Sequence, residues 1–318
     1  EHTYLQAPEI ARIGSSDWAL EDFLSQPQVV SSFADSLLRN RAPQSTEILR
    51  NLVPTLINFF LPASGSCRSA IPVYRSLMDL LIIDEQLSTD SLATFQRLVD
   101  ALLQHADGQE AFVDVQKACE DAWRQVESPY NLDWALDCVD LLLDTGATRH
   151  VDVAVFFNVV VDSIRSWSRR RVSSEQRDFL SLLASDLQLK DTLTDLWETD
   201  SGQNERSGSD LREALKDMSV TIYSLTERIA RRTKQLIEQT FSGVTIHLCH
   251  DKASSDRLRT LARNSDVFLV NTWDAKHAAT NAIHDLRTTE DTLRPSSKSA
   301  SAMFRSLLDF AARHTATA

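Results

Sequence analysis

No glycine follows Gly243 in this 318-residue chain, so residues 244–318 hold neither a GxGxxG fingerprint nor a GxxxxGKS or GxxxxGKT loop. A classical dinucleotide or NTP loop is thereby excluded from the region where strands and helices alternate. Cysteine is scarce: Cys67, Cys119, Cys138 and Cys249 lie far apart in sequence, and no CxxC pair occurs. That spacing argues against a structural zinc knuckle or a disulfide framework and fits a reducing cytoplasm. No GxSxG elbow is present for a serine hydrolase. No apolar run reaches the roughly 18 residues of a membrane span. The start, EHTYLQAPEI, lacks the basic and apolar regions of a signal peptide, so a soluble, cytoplasmic protein without membrane contact is expected.

Charge is informative when the chain is divided. Residues 211–318 carry 16 Lys and Arg against 12 Asp and Glu, a balance of +4. Residues 1–210 carry 17 against 33, a balance of −16. An acidic surface repels phosphate backbones, so direct nucleic-acid binding by the N-terminal part is disfavoured, whereas the C-terminal part tolerates an anion.

Through residue 197 the periodicity is helical almost everywhere, with punctuation by Pro27, Pro43, Pro62 and Gly65. Leu49, Leu52, Val53, Leu56, Ile57 and Phe60 fall on one stripe, predicting a buried helix face. The continuous apolar run 151–161 is long enough to read as a buried helix. Trp123, Trp134, Trp167 and Trp197 sit in apolar helical patterns and are assigned to cores. Without a repeat at fixed period, the expectation is an irregular, HEAT-like helical array over 1–197. Residues 198–210, ETDSGQNERSGSD, have no aliphatic or aromatic side chain and read as a linker. The rest, 211–318, forms a second domain.

In that domain three β-branched runs, 220–225, 244–249 and 267–270, alternate with helical segments, predicting βαβαβα with a short parallel sheet. The basic helix after the first run is expected to pack one face and leave Arg228, Arg231, Arg232 and Lys234 solvated. Val267–Val270 is apolar on both faces and should be covered on both, while Thr245 and His247 mark the second strand as an edge. Ligands of such sheets bind beyond the carboxyl ends of the strands. The candidates there are Ser224, Thr226, Glu227 and Arg228, then His250, Asp251 and Lys252, then Asn271, Thr272, Trp273, Asp274, Lys276 and His277. Taken singly, Asp251, Ser254, Thr272 and Asp274 read as helix caps or turn formers; as a set the polar residues at these strand ends read as a ligand crevice. His247 and His250 lie three apart on a strand and point to opposite faces, so no metal site is expected. Helices opening near Thr226 and Ala275 offer unpaired N–H groups to an anion, with Arg228 and Lys276 in their first turns.

The runs IYSLTERIARR, VFLVNTWDAKHAAT and SSKSASAMFRSLLDF resemble the C-terminal Rossmann-like module of DpdD-like proteins, encoded in bacterial DNA-modification and phage-defence gene clusters. The resemblance covers roughly the last third of the chain and places Glu227, Lys276, His277 and Thr280 on motif positions. It implies partners within a defence assembly and identifies neither a reaction nor a cofactor. Residues 294–301, RPSSKSAS, lack the glycine expected before the serines of the last motif, which argues against a tight phosphate loop there.

The fold expected is therefore mostly α, an irregular helical array followed by a small α/β Rossmann-like module. Three functions stay open. The module binds a small anionic, nucleotide-like ligand through Ser224, Thr226, Arg228, Asn271, Thr272, Lys276 and Thr280, with the helices as an interaction platform. Alternatively it is an enzyme acting on a nucleotide or nucleic-acid end, with Glu227, Asp251 and His277 as the acid-base set. Or it is a purely structural subunit.

Overall fold

The computed structural model describes residues 20–39, 43–61, 66–83, 87–105, 108–145, 150–167, 171–197, 213–271, 277–288, 290–295 and 299–317. Its contacts divide the chain into two compact units, Glu1–Ala111 and Phe112–Ala318.

The first unit is helical: α1 (Leu20–Leu24), α2 (Pro27–Arg39), α3 (Pro43–Phe60), α4 (Ile71–Ile83) and α5 (Thr89–Gln104). Helix α4 packs against α2 and α5. Phe23, Phe33 and Phe60 form an aromatic trio with centroids 5.6–5.7 Å apart, a spacing at which edge-to-face pairs add to simple burial. On the α3 stripe Val53, Ile57 and Phe60 are buried and Leu49, Leu52 and Leu56 half-buried. Tyr74 donates its hydroxyl to the Phe60 carbonyl at 2.8 Å, and burial pushes its pKa up.

The second unit opens with four helices, α6 (Gln109–Val126), α7 (Leu132–Thr145), α8 (His150–Ser166) and α9 (Ser174–Asp186), then a short α10 (Thr194–Trp197). The apolar run at 151–161 is helical, as its length predicts. Trp123 is fully buried, its indole N–H donating to Ser163 Oγ at 3.0 Å; Trp134 is buried and Trp167 half-buried. The Trp197 side chain lies outside the described residues.

Next come β1 (Ser219–Tyr223), α11 (Glu227–Thr240), β2 (Thr245–Cys249), α12 (Asp256–Asn264), β3 (Val267–Val270), α13 (His277–Leu286), β4 (Thr292–Leu293) and α14 (Ala300–Thr317). All strand pairs are parallel, in the order β2-β1-β3-β4. β2 is an edge and exposes Thr245 and His247, while β3 is inner and buried at every position, as its two-sided apolar character predicts. β4 was not expected: two residues are too few to show an alternating pattern, and only the pairs Phe268 with Thr292 and Leu269 with Leu293 define it.

Side chains alternate across the sheet. Tyr223, Cys249, Phe268 and Val270 face α12 and α13, meeting Leu258, Ala262, Ala279 and Ile283. Val220, Ile222, Val267 and Leu269 lie on the other side, where α11 packs on α14 and Phe241 meets Phe304 at 6.4 Å. Each such buried apolar side chain contributes about 1.5–3 kcal/mol. Helix α7 packs behind α14, with α8 and α9 beside it. Contacts therefore gather the helices of 112–197 with the sheet, and the boundary falls at 111/112. The linker expected at 198–210 lies outside the described residues.

Candidate functional site at the carboxyl edge of the sheet

Because β2 and β3 flank β1 on opposite sides, the connections leaving β1 and β2 run in opposite directions. The switch point lies between β1 and β3, where a crevice opens beyond the strand ends in such sheets. Ser224 and Asn271, the residues following these two strands, are buried there. Their backbones extend the ladder: Ser224 N–H donates to the Cys249 carbonyl at 3.1 Å, and Asn271 N–H to that of Tyr223 at 2.9 Å. Their side chains meet, Asn271 Nδ2 donating to Ser224 Oγ at 3.4 Å. Ser224 Oγ also accepts from Thr226 N–H at 3.2 Å, closing the turn into α11. Thr226 is the N-cap residue of α11 but makes no side-chain cap, so the helix start lacks the usual hydroxyl acceptor.

His250 joins the same turn. Its Nδ1 lies 2.6 Å from the Ser224 carbonyl oxygen, an acceptor, so Nδ1 carries the proton. Asp251 accepts the Tyr223 hydroxyl on its backbone carbonyl at 2.9 Å, and its carboxylate accepts from Ser255 Oγ. Ser255 in turn caps α12, accepting Leu258 N–H at 3.0 Å. Burial, then the Cys249 thiol and Asp251, push the Tyr223 phenol up to about 12. The Cys249 thiol is also raised, mainly by burial. These groups are neutral at pH 7, and the cluster holds the ends of β1 and β2 together.

The two candidate carboxylates are engaged separately. Glu227 is exposed and pairs with Arg231 one turn along α11, whereas Asp251 is tied to Ser255. His277 opens α13, with its side chain outside the described residues, and Thr280 lies half-buried in the same first turn. Thr272, Trp273, Asp274 and Lys276 lie outside the described residues.

Arg228, assigned by sequence to a ligand, reaches instead to α7. Its Nη1 donates to the Leu143 carbonyl, and its Nε lies 3.4 Å from Asp144 Oδ1. A cation on a last-turn carbonyl offsets the negative end of the helix dipole. One turn on, Arg232 is buried rather than solvated: it pairs with Asp140 and donates from Nε to Asp186 Oδ2 at 2.8 Å. Desolvation lowers its pKa to about 10. Arg305 of α14 completes the set, 2.7 Å from Asp137 and 3.3 Å from Asp133. Asp140 Oδ2 also accepts the Ala300 N–H at 2.9 Å, placing the protein's own carboxylate at the start of α14. Burial raises the Asp137 pKa against the opposing pull of Arg305.

Sequence reasoning missed this network, although a signal existed. Asp133, Asp137, Asp140 and Asp144 recur at intervals of four, three and four on the otherwise apolar helix LDWALDCVDLLLDT. Such a stripe on a helix this apolar requires cations opposite. Arg228 and Arg232, four apart on a helix, have the matching spacing.

No helix among the described residues is long and apolar enough to cross a membrane. No curated protein and no solved structure matches the chain. The model of the DpdD-like family matches residues 1–306, reaching through the helical part well beyond the last third that carried the sequence resemblance, and the chain belongs to the DpdD-like family.

Proposed function

We propose that this protein acts in a bacterial DNA-modification or phage-defence system as a binding component. In this reading the α/β part holds a small anionic, nucleotide-like ligand at the carboxyl edge of its sheet, and the helices contact other proteins of the assembly. The observation that carries it is the meeting of Ser224 and Asn271 at the switch point, beside an α11 start with no side-chain cap. The first-turn amides of α11 and the Asn271 carboxamide lie beside that turn, a donor set suited to one phosphate, while the Ser224 hydroxyl donates to the Thr226 carbonyl at 3.2 Å. Arg228 of α11 is engaged by the Leu143 carbonyl and Asp144 of α7. An acid-base enzyme is the weaker reading, because Glu227 and Asp251 are tied to different partners.

Thermal unfolding with phosphate, sulfate and nucleoside monophosphates tests the reading. At a hundredfold excess over Kd, a ligand stabilises by about 2.7 kcal/mol. Asn271→Asp, which sets a negative charge at the crevice, should abolish the shift while Ser224→Ala reduces it. An unmoved Tm at millimolar concentrations of all three would leave the edge with a structural role only.

A further inference from the structure

A cavity of about 1080 Å³ lies at the opposite, amino edge of the sheet, between the starts of β3 and β4, the end of α12 and the outer face of α14. It equals or exceeds the ~300–1,000 Å³ typical of small-ligand pockets. Four arginines and four acids line it, so net charge alone selects nothing. What differs is how far each is already engaged. Asp266 accepts the Ser219 N–H at 2.7 Å and its hydroxyl at 2.8 Å. Asp291 accepts the Thr288 hydroxyl at 3.1 Å, and Asp309 lies in the field of Arg305. Arg287 donates to the carbonyls of Ala262, Ser265, Asp266 and Asp291 and stacks 5.5 Å over Phe268. Arg263 and Arg294 are exposed and have no partner among the described residues.

Each guanidinium presents five N–H donors in a planar fork, a shape that phosphate oxygens fill bidentately. On the α14 wall Phe310 and His314 stack in parallel, centroids 5.8 Å apart and planes within 9°, with His314 exposed. An exposed ring at the end of a stack is a platform for another planar ring. We propose that this cleft binds a phosphorylated planar ring, the chemistry of a nucleotide, with Arg263 and Arg294 on the phosphate and His314 beneath the ring. The site is independent of the carboxyl edge.

Calorimetric titration of the full chain at about 50 mM salt, where phosphate contacts are strongest, tests it with inorganic phosphate, a nucleoside monophosphate and a ten-nucleotide single strand. The monophosphate should bind more tightly than inorganic phosphate. Arg263→Ala with Arg294→Ala should weaken both by about tenfold or more, as expected for charge-assisted contacts. His314→Ala should weaken only the ring-bearing probes, several-fold, and in the Asn271→Asp background, where the carboxyl edge is silenced, a binding step that depends on Arg263, Arg294 and His314 should persist. A strand that binds more tightly than the monophosphate, with its salt slope reduced by about 0.7 per arginine removed, identifies a nucleic-acid end as the source; equal or weaker strand binding identifies a free nucleotide. Absence of binding by every probe, or a double arginine variant that matches the parent, overturns the proposal.

Discussion

On α11, which leaves the carboxyl edge of the sheet, Arg228 and Arg232 are matched by Asp144, Asp140, Asp186 and a helix-terminal carbonyl. At the amino edge Arg287 is matched by four carbonyls, while Arg263 and Arg294 meet no partner among the described residues. Both edges are rich in arginine, yet among the described residues only the amino edge leaves guanidinium groups without a counter-charge. The difference lies in what packs against each: α7 brings a row of carboxylates behind the first set, and the second opens on a cavity. A basic segment becomes a site only where the fold withholds its counter-charges.

The largest effect should come from breaking the buried pairing. Asp140→Ala leaves buried Arg232 with Asp186 alone and the Ala300 N–H without its acceptor, and should cost about 3 kcal/mol, whereas adding Arg232→Met should restore part of the loss. Urea unfolding followed by tryptophan fluorescence reports this, since five of the six tryptophans lie in residues 112–318. A loss below about 1 kcal/mol would place Arg232 in contact with water and remove the contrast between the edges. An intermediate effect is expected at the amino edge. Arg287→Lys replaces a planar fork that serves four carbonyls with a point charge and should cost about 2 kcal/mol. A full retention of Tm would show that those carbonyls find other donors.

The smallest effect concerns pH. The N–H of Ser219 and then its hydroxyl hold the Asp266 carboxyl below the ordinary carboxylate value. Its folded pKa is therefore lower than its unfolded one, so as pH falls the unfolded chain takes up the proton first. The stabilisation is complete above about pH 4 and is lost as pH falls through the folded value. Asp266 is exposed, so the effect should stay below about 1 kcal/mol. Asp266→Asn should flatten the acid limb of stability between pH 7 and 3 by that amount; an unchanged limb would show that Ser219 contributes nothing to this edge.

Some of the architecture was legible because it depends on local pattern. The runs at 220–225, 244–249 and 267–270 announced three strands, and the exposed Thr245 and His247 marked β2 as an edge. That Ser224 and Asn271 directly follow β1 and β3 was legible too, because the apolar runs show where each strand stops. β4 was not legible, since a two-residue strand exists only through its pairing with β3. The solvated reading of Arg232 failed because a helix's own sequence shows which residues share a face and not what covers it.

Taken alone, the sequence determined the alternation of strand and helix, the absence of a glycine phosphate loop after Gly243, and the two-sided burial of Val267–Val270. These depend on residue type and periodicity within a few turns of chain. Tertiary structure decided that α7 sets Asp140 against Arg232, 92 positions apart by number, and that Arg263 and Arg294 share one cleft. Ionic pairing over such separations depends on which helix packs on which. That choice is made by the fit of whole apolar faces, so the charges are matched or left open as a consequence of the packing.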